Sequence, residues 1–325
     1  MSDNITENRA AKSLVSIIIV HWNSERELAA CIDSILKTTG IPMEVIVIDN
    51  ASENIDLPAW GEYPDFVRLI RNPENEGYAR ATNRGIRESR GEWVLLLNPD
   101  VELNGEGVLA MIEALGADSA AGAATARLDS PDGSFQRYYT RFPTLCALVG
   151  RFTVLEPLMR NSAAVRSYLK MDMDPELPQR VEQAPGACFM TRRDTLDKTG
   201  LMDERFPLFF NDVDLCRRFY EAGLAILYVP GARFTHRAQS AVGRMDPALR
   251  RAEMRVSAIR YIAKHEGGAK AALLKWTLAA DLVVRQMALA ARCLAGLRKW
   301  SEFRAGFSGL RMVLSDRSLF ERRRV

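Results

Sequence analysis

Three apolar runs in the first hundred residues each stop at a short polar cluster, and no other feature restricts the fold as much. Residues 15–20 run into His21-Trp22-Asn23, residues 45–48 into Asp49-Asn50-Ala51-Ser52, and residues 93–97 into Asn98-Pro99-Asp100. Each run is too short for an ordinary helix and rich in Val, Ile or Leu, which predicts strands of a parallel sheet buried on both faces. In open α/β sheets, ligands bind outside the carboxyl ends of the strands. Polar side chains at three such ends therefore predict a ligand with hydrogen-bonding and metal-binding groups.

Between the runs, residues 24–37 place Leu28, Ile32, Ile35 and Leu36 on one helical face, with Ser24 as the expected N-cap. Gly40-Ile41-Pro42 ends that helix, so the unit is strand, helix, strand with a right-handed crossover. A further strand over 66–70, a loop at 71–77 and a helix over 78–89 lead into the third run. This alternation predicts a doubly wound sheet. A helix near 107–115 is followed by Ala- and Gly-rich sequence and a turn at Ser130-Pro131-Asp132-Gly133. Residues 134–182 show little periodicity and read as an irregular, substrate-facing insertion. Pattern returns at 186–191, at 206–219 and in a strand over 225–229, which a Pro230-Gly231 turn separates from His236.

The tail differs. If residues 270–299 form one helix, Lys270, Asp281, Arg285, Arg292 and Lys299 fall on one narrow stripe, and Leu274, Leu278, Leu282, Met287, Leu289 and Leu294 fill the remainder. So broad an apolar surface packs on the catalytic body, on a second subunit in a homodimer, or in the plane of a membrane with basic residues at anionic headgroups. From Arg285 onward the only acids are Glu302, Asp316 and Glu321, so an anionic partner is expected at this end.

A net charge of +3 argues against general nucleic-acid binding, and 47% hydrophobic with 26% charged residues marks an ordinary globular chain. Cys31, Cys146, Cys188, Cys216 and Cys293 are odd in number, lack C-x-x-C spacing and read as reduced residues. Residues 1–12 lack the apolar stretch of a signal peptide, and no uncharged run is long enough to span a bilayer. The expected location is cytoplasmic, with peripheral contact to the inner membrane through residues 270–325 left open.

Seven segments in order, 15–23, 47–52, 75–83, 96–100, 185–187, 211–215 and 236–240, resemble the inverting family-2 glycosyltransferases of the GT-A fold, in particular the rhamnosyltransferase-like branch. The resemblance implies a nucleotide-diphospho-sugar transferase fold: a Rossmann-like, mostly parallel sheet flanked by helices, with a C-terminal helical extension. It divides the chain into a nucleotide-sugar half at 13–130, an acceptor-binding and catalytic half at 131–240 and the extension at 241–325. It further implies a nucleoside-diphosphate sugar donor, dTDP-rhamnose by preference, and a hydroxyl acceptor on a cell-surface polysaccharide or lipid-linked oligosaccharide. Hexose and galactofuranose donors also occur in the family.

The same resemblance distributes the site. Asp49 is placed to accept the imide N–H of the base, although an Asx turn is an equally ordinary use of such a residue. Val20, Asn23 and Asn50 line the base and ribose; Asn75 and Asn83 flank Gly77, whose missing side chain permits a sharp turn or close approach to the ligand. Asn98-Pro99-Asp100 looks like a variant Asp-x-Asp metal motif with its first carboxylate replaced by an amide. Asp100 alone can anchor Mg²⁺ or Mn²⁺, because such ions commonly keep waters and substrate phosphates as ligands. His236 serves the metal or the diphosphate. Gly186 and Ala187 bring backbone close to donor or acceptor. Asp212 is the base, since a sugar hydroxyl must lose its proton as its oxygen attacks. Asn211 stands where the family carries an acid, and Asp214 reads as a structural helix N-terminal carboxylate.

Rival readings fit less well. A nucleotidyltransferase needs a Gly-rich, Arg-containing loop after its first strand, and His21-Trp22-Asn23-Ser24 is not one. No G-x-G-x-x-G or P-loop is present. A non-catalytic sugar-nucleotide-binding scaffold remains open because of Asn98 and Asn211, and is opposed by Asp100, Asp212 and His236.

Overall fold

Burial on both faces explains the first strands: every residue of β1 (Val15–His21) is buried, as are all but the first of β2 (Met43–Asp49) and all of β4 (Trp93–Leu97). The computed structural model describes residues 14–53, 63–169, 173–238, 241–295, 297 and 300–316. The expectations for residues 1–12, Ser240 and Lys299 lie outside them. Two compact units form: one from residues up to 140, 172–207 and 211–243, the other from 141–171, 208–210 and 244 onward.

In the first unit, the described strands make one mixed sheet in the order β3-β2-β1-β4-β8-β6-β9-β5, with β7 also on β9. Here β3 is Val67–Arg71, β5 Val101–Glu102, β6 Ala121–Asp129, β7 Gln179–Val181, β8 Cys188–Arg192 and β9 Ala225–His236. The β1–β4 group is parallel throughout, β8 runs antiparallel to β4 and β6, and β9 runs parallel to β6. Helices Glu25–Leu36, Tyr78–Glu88 and Gly105–Ala117 alternate with the strands, as the spacing predicts. The core on one side joins Ile17, Ile19, Val45, Val47, Leu95 and Leu97 to Leu28, Ile32, Met111 and Ile112.

Local chemistry departs from expectation at several points. Ser24 occupies the N-cap position but makes no cap hydrogen bond; its Oγ pairs with His21 Nδ1 at 2.9 Å. The Ala- and Gly-rich stretch is strand β6, whose small residues answer a crowded interior. A Cβ added to Gly122 would lie 2.8 Å from Leu224 Cβ and 2.9 Å from Phe219 Cδ2. Strand β9 does not stop at Pro230-Gly231: the register on β6 jumps from Val229 opposite Ala126 to Arg233 opposite Arg127, so the Pro-Gly pair is a bulge and His236 ends the strand itself. The 130–133 turn forms, with Gly133 N–H donating to Ser130 O at 2.8 Å and Gly133 at φ 83°.

The second unit is helical. Residues 141–171, read from the sequence as irregular and as part of the acceptor half, carry helices Leu145–Phe152, Glu156–Met159 and Ala163–Tyr168. They group with helices Pro247–His265, Gly268–Leu294 and Trp300–Ser315, so the helical body draws on more than the C-terminus. Its polar centre is Asp281, buried, accepting from Arg255 Nη2 at 3.1 Å, Arg285 Nε at 2.8 Å and Val154 N–H at 2.6 Å. Asp281 is therefore a core acid, not the surface charge that the helical stripe suggested. Leu274, Leu278 and Leu282 face this core, whereas Met287 and Leu294 are 68% and 78% exposed.

Candidate functional site

Strand directions gather the polar clusters at one edge of the first unit. The carboxyl ends of β1, β2 and β4 carry Asn23, Asp49 and Asn98-Pro99-Asp100. Because β8 is antiparallel, its amino end lies there too: Leu97 pairs with Cys188, and Asn98 N–H donates to Ala187 O at 3.0 Å. The end of β9 arrives beside Val101, which pairs with His236. Backbone strain concentrates on the same rim, where Asn23 (φ 49°), Ala51 (φ 62°) and Ala238 (φ 52°) are left-handed without being glycine.

At the nucleotide end, the buried Asp49 divides its carboxylate. Oδ1 accepts the Ser52 N–H at 3.0 Å in an Asx turn, while Oδ2 has no hydrogen bond among the described residues and stands 3.3 Å from Arg71 Nε. Arg71 also donates to Ser52 O at 3.0 Å. The Asx turn weighed from the sequence is thus present on Oδ1, and Oδ2 is left beside Arg71. Asn23 accepts the Glu53 N–H at 2.8 Å through Oδ1, and its own N–H donates to Ser52 Oγ at 2.8 Å. Val20 is a buried β1 residue paired with Ile48.

Several amides expected to touch ligand are committed to protein partners instead. Asn50 donates to Asn75 Oδ1 at 2.9 Å and accepts from Asn72 Nδ2 at 2.9 Å and Glu76 N–H at 3.1 Å, folding the 72–77 loop. Asn83 donates to Met202 O at 2.8 Å and Glu204 Oε1 at 3.1 Å and accepts the Met202 N–H at 2.9 Å, anchoring the segment at 202–204. Gly77 has φ 82°, and a Cβ there would meet Pro207 Cβ and O at 2.9 Å. The close approach that demands glycine within the protein is to Pro207.

Asp100 is 2% exposed, and neither carboxylate oxygen has a hydrogen bond among the described residues. His236 Nε2, equally without one, stands 3.3 Å from Oδ1. A buried carboxylate lacking donors is costly unless a charge answers it. The neighbourhood adds further demand: the Cys31 thiol is driven upward by burial and by the charges of Asp100 and Glu102, and the Tyr138 hydroxyl by burial and Asp100. One carboxylate and one imidazole converging with unused lone pairs fit a divalent cation. Among the described residues no group of three or more His, Cys, Asp or Glu side chains could hold an ion unaided, so an ion here would need further ligands from outside the protein. The Asn98 backbone fixes the loop by accepting from Val101 N–H at 3.2 Å.

Asp212 lies in the first turn of helix Asn211–Glu221. Its Oδ2 accepts the Gly186 N–H at 3.0 Å and its Oδ1 the Val213 N–H at 2.8 Å. Burial raises its pKa above the ordinary carboxylate range despite these donors, which makes it a better proton acceptor. The Tyr78 hydroxyl donates to Gly186 O at 3.2 Å and is pushed up by burial and by the charges of both Asp212 and Asp100. Asp214 is structural as read, buried and paired with Arg218 Nε at 3.0 Å, and Asn211 is buried with Nδ2 3.3 Å from Phe206 O.

Sequence reasoning missed Arg71, the Tyr78 hydroxyl and Gln136, whose Oε1 is 2.7 Å from His236 Nδ1. Arg71 opens the loop that was singled out, and a basic residue one strand over from Asp49 was a usable signal. Gln136 follows a turn in a stretch with no periodicity, and nothing in the chain marks it.

Comparison with known proteins agrees with this geometry. The family model described as Glycosyl transferase family 2 matches residues 16–200. N-acetylglucosaminyl-diphospho-decaprenol L-rhamnosyltransferase of Mycobacterium tuberculosis is 30% identical over 284 residues, covering 84% of this chain and 91% of that protein. Low-salt glycan biosynthesis hexosyltransferase Agl10 of Haloferax volcanii is 26% identical, covering 63% and 61%. Among solved structures, mannosyltransferase PcManGT from Pyrobaculum calidifontis in complex with GDP-Man and Mn²⁺ aligns with a TM-score of 0.52 at 18% identity, over 94% of this chain and 85% of that one. GalNAc-T7 with UDP, GalNAc and Mn²⁺ aligns with a TM-score of 0.54 at 17% identity, over 77% of this chain and 47% of that one. These structures share the GT-A fold. With a family model matched over more than half its length and a relative 30% identical across most of both chains, the chain belongs to glycosyl transferase family 2.

Proposed function

We propose that this protein is an inverting glycosyltransferase that moves a sugar, rhamnose by preference, from a nucleoside diphosphate to a hydroxyl of a lipid-linked saccharide. One observation carries the reading: the Gly186 amide aims the buried Asp212, and the Tyr78 hydroxyl that bonds Gly186 O feels the charges of both Asp212 and Asp100. A transferase that inverts needs a base on one side of the anomeric carbon and a stabilised diphosphate on the other, with no side-chain nucleophile. Asp212 accepts the proton of the acceptor hydroxyl as its oxygen attacks. Asp100 and His236 hold Mg²⁺ or Mn²⁺, which when bound neutralises the departing diphosphate. Asp49 receives the base through Oδ2, oriented by Arg71, while Asn23, Asn50 and Asn75 shape the loops around it. The donor and acceptor follow the relative named as an L-rhamnosyltransferase acting on a diphospho-decaprenol.

The helical unit supplies the contact with the lipid surface that such an acceptor occupies. On helix Gly268–Leu294 the exposed Leu273, Trp276, Val284, Met287 and Leu294 lie within about 100° of the circumference. Lys270, Arg292 and Arg285 lie along one side of that stripe, Lys270 paired with Glu266 and Arg285 with the buried Asp281, the helix's only acid, each at 2.8 Å. An apolar face with a basic margin suits an anionic bilayer, whereas two copies would set like charges against each other. No helix among the described residues is long and apolar enough to cross a membrane.

Incubation with Mg²⁺ or Mn²⁺ and a panel of nucleotide sugars, followed by assay of nucleoside diphosphate release, tests the activity. Release is expected to be fastest with dTDP-rhamnose and to rise when a prenyl-diphosphate-linked saccharide is added; absence of release with every donor and acceptor overturns the reading.

A further inference from the structure

We infer that Gln136 is a positioning residue that fixes the tautomer of His236 and so keeps the seat beside Asp100 open to a divalent cation. The inference rests on the metal reading proposed above. The Gln136 Nε2 donates to His236 O at 2.8 Å and to Ser130 Oγ at 3.0 Å. An amide turned the other way would set oxygen against the carbonyl oxygen, so Oε1 is the atom 2.7 Å from His236 Nδ1. That oxygen only accepts, which makes Nδ1 the ring's N–H donor. In the neutral ring the lone pair then resides on Nε2, 3.3 Å from Asp100 Oδ1.

The alternative tautomer shows why this matters. With its hydrogen on Nε2, the ring would donate to Asp100, satisfying both groups and closing the seat. Gln136 withholds that bond: it occupies Nδ1 and leaves three buried atoms, Asp100 Oδ1, Asp100 Oδ2 and His236 Nε2, without hydrogen bonds among the described residues. Its own placement is firm, because Gln136 N–H donates to Leu128 O at 2.9 Å beside the Asp129–Phe135 bridge. Tyr138 closes another side of the ring, edge-on at 5.7 Å between centroids. Partners of this kind, which set the orientation of a metal-binding imidazole, typically change metal affinity about 10- to 100-fold when removed.

Two measurements on the full chain test this. Long-range ¹H–¹⁵N spectra of the metal-free wild type in mildly alkaline buffer resolve the tautomer of each of the three histidines, with His236 assigned from the spectrum of His236→Ala. Hydrogen on Nδ1 is expected; hydrogen on Nε2 refutes the inference, whatever the variants do. Mn²⁺ alone is then titrated, by electron paramagnetic resonance, into wild type, Gln136→Met and His236→Ala. Gln136→Met is expected to bind about 10- to 100-fold more weakly and to shift His236 toward the Nε2–H form. If His236→Ala weakens binding while Gln136→Met matches wild type, the role of Gln136 falls alone. If His236→Ala binds Mn²⁺ as wild type does, the metal reading falls and this inference with it.

Discussion

The Gly186 amide donates to Asp212 Oδ2 at 3.0 Å, joining the loop before β8 to the first turn of the following long helix across 26 positions of sequence. That bond aims one carboxylate oxygen while burial raises the basicity of the group. Asp212→Asn keeps the size and one acceptor but loses the base. Transfer is expected to fall by about 10²- to 10⁴-fold while nucleoside diphosphate affinity stays within about twofold of wild type, read by steady-state assay and calorimetric titration. Unchanged turnover removes Asp212 from the mechanism.

The acid side of the pH profile should carry the same signature. Transfer needs Asp212 ionised, and burial has moved its titration upward, so activity should decline at a pH above the ordinary carboxylate value of about 4. A rate that holds level down to pH about 4 contradicts the assignment.

Glu44 offers a control remote from the chemistry. Burial opposes its ionisation, yet the Ser16 hydroxyl at 2.7 Å, the Arg90 N–H at 2.7 Å and the charges of Arg90 and Arg68 hold its pKa below the usual range. A depressed folded pKa means stability that is present above the unfolded value and lost as pH falls through the folded one. Glu44→Gln should cost about 1–3 kcal/mol at neutral pH, with the gap from wild type narrowing in acid, as followed by denaturant melts at several pH values. A gap that widens in acid reverses the sign and defeats the account.

Asp281→Ala leaves Arg255 buried opposite Phe152 O without its carboxylate. A loss of about 3–5 kcal/mol is expected in urea unfolding of the helical unit. Asp281→Asn, which keeps an acceptor but not the charge, should lose less; equal losses would show that an uncharged acceptor contributes nothing there.

The exposed stripe on helix Gly268–Leu294 should bring the protein to lipid. Flotation with vesicles containing anionic lipid is expected for wild type, weaker in high salt, and reduced severalfold in Trp276→Glu and Met287→Glu. Equal flotation of wild type and both variants, or salt-independent dimerisation through these residues, excludes the bilayer as the occupant.

Strands β1, β2 and β4 were legible because burial on both faces leaves a continuous apolar run, with no alternation to misread. Strand β6 was not, since its buried face is made largely of Ala123, Ala124 and Ala126 rather than of the Val, Ile and Leu by which strands are recognised. Helix Pro247–His265 fell within the expected helical extension but was not delimited, because Arg255 stands on its buried face and its compensation, Asp281, is 26 residues away. The site divided along similar lines. Asp100, Asp212 and His236 were visible through motif order, but the duties of Asn50, Asn83 and Gly77 depend on loops that sequence does not bring together. A polar residue that positions another has the same composition as one that meets substrate.

The left-handed backbone at Asn23 and Ala51 has a consequence for how a bulky donor enters. At Ala51 this costs roughly 1–2 kcal/mol, and less at Asn23, whose side chain tolerates the conformation. The loops that bear them should accordingly exchange their amide hydrogens with solvent long before strands β1 and β2 do. A nucleotide could then be admitted, and its spent form released, by a brief local breath at the mouth while the sheet beneath keeps its shape.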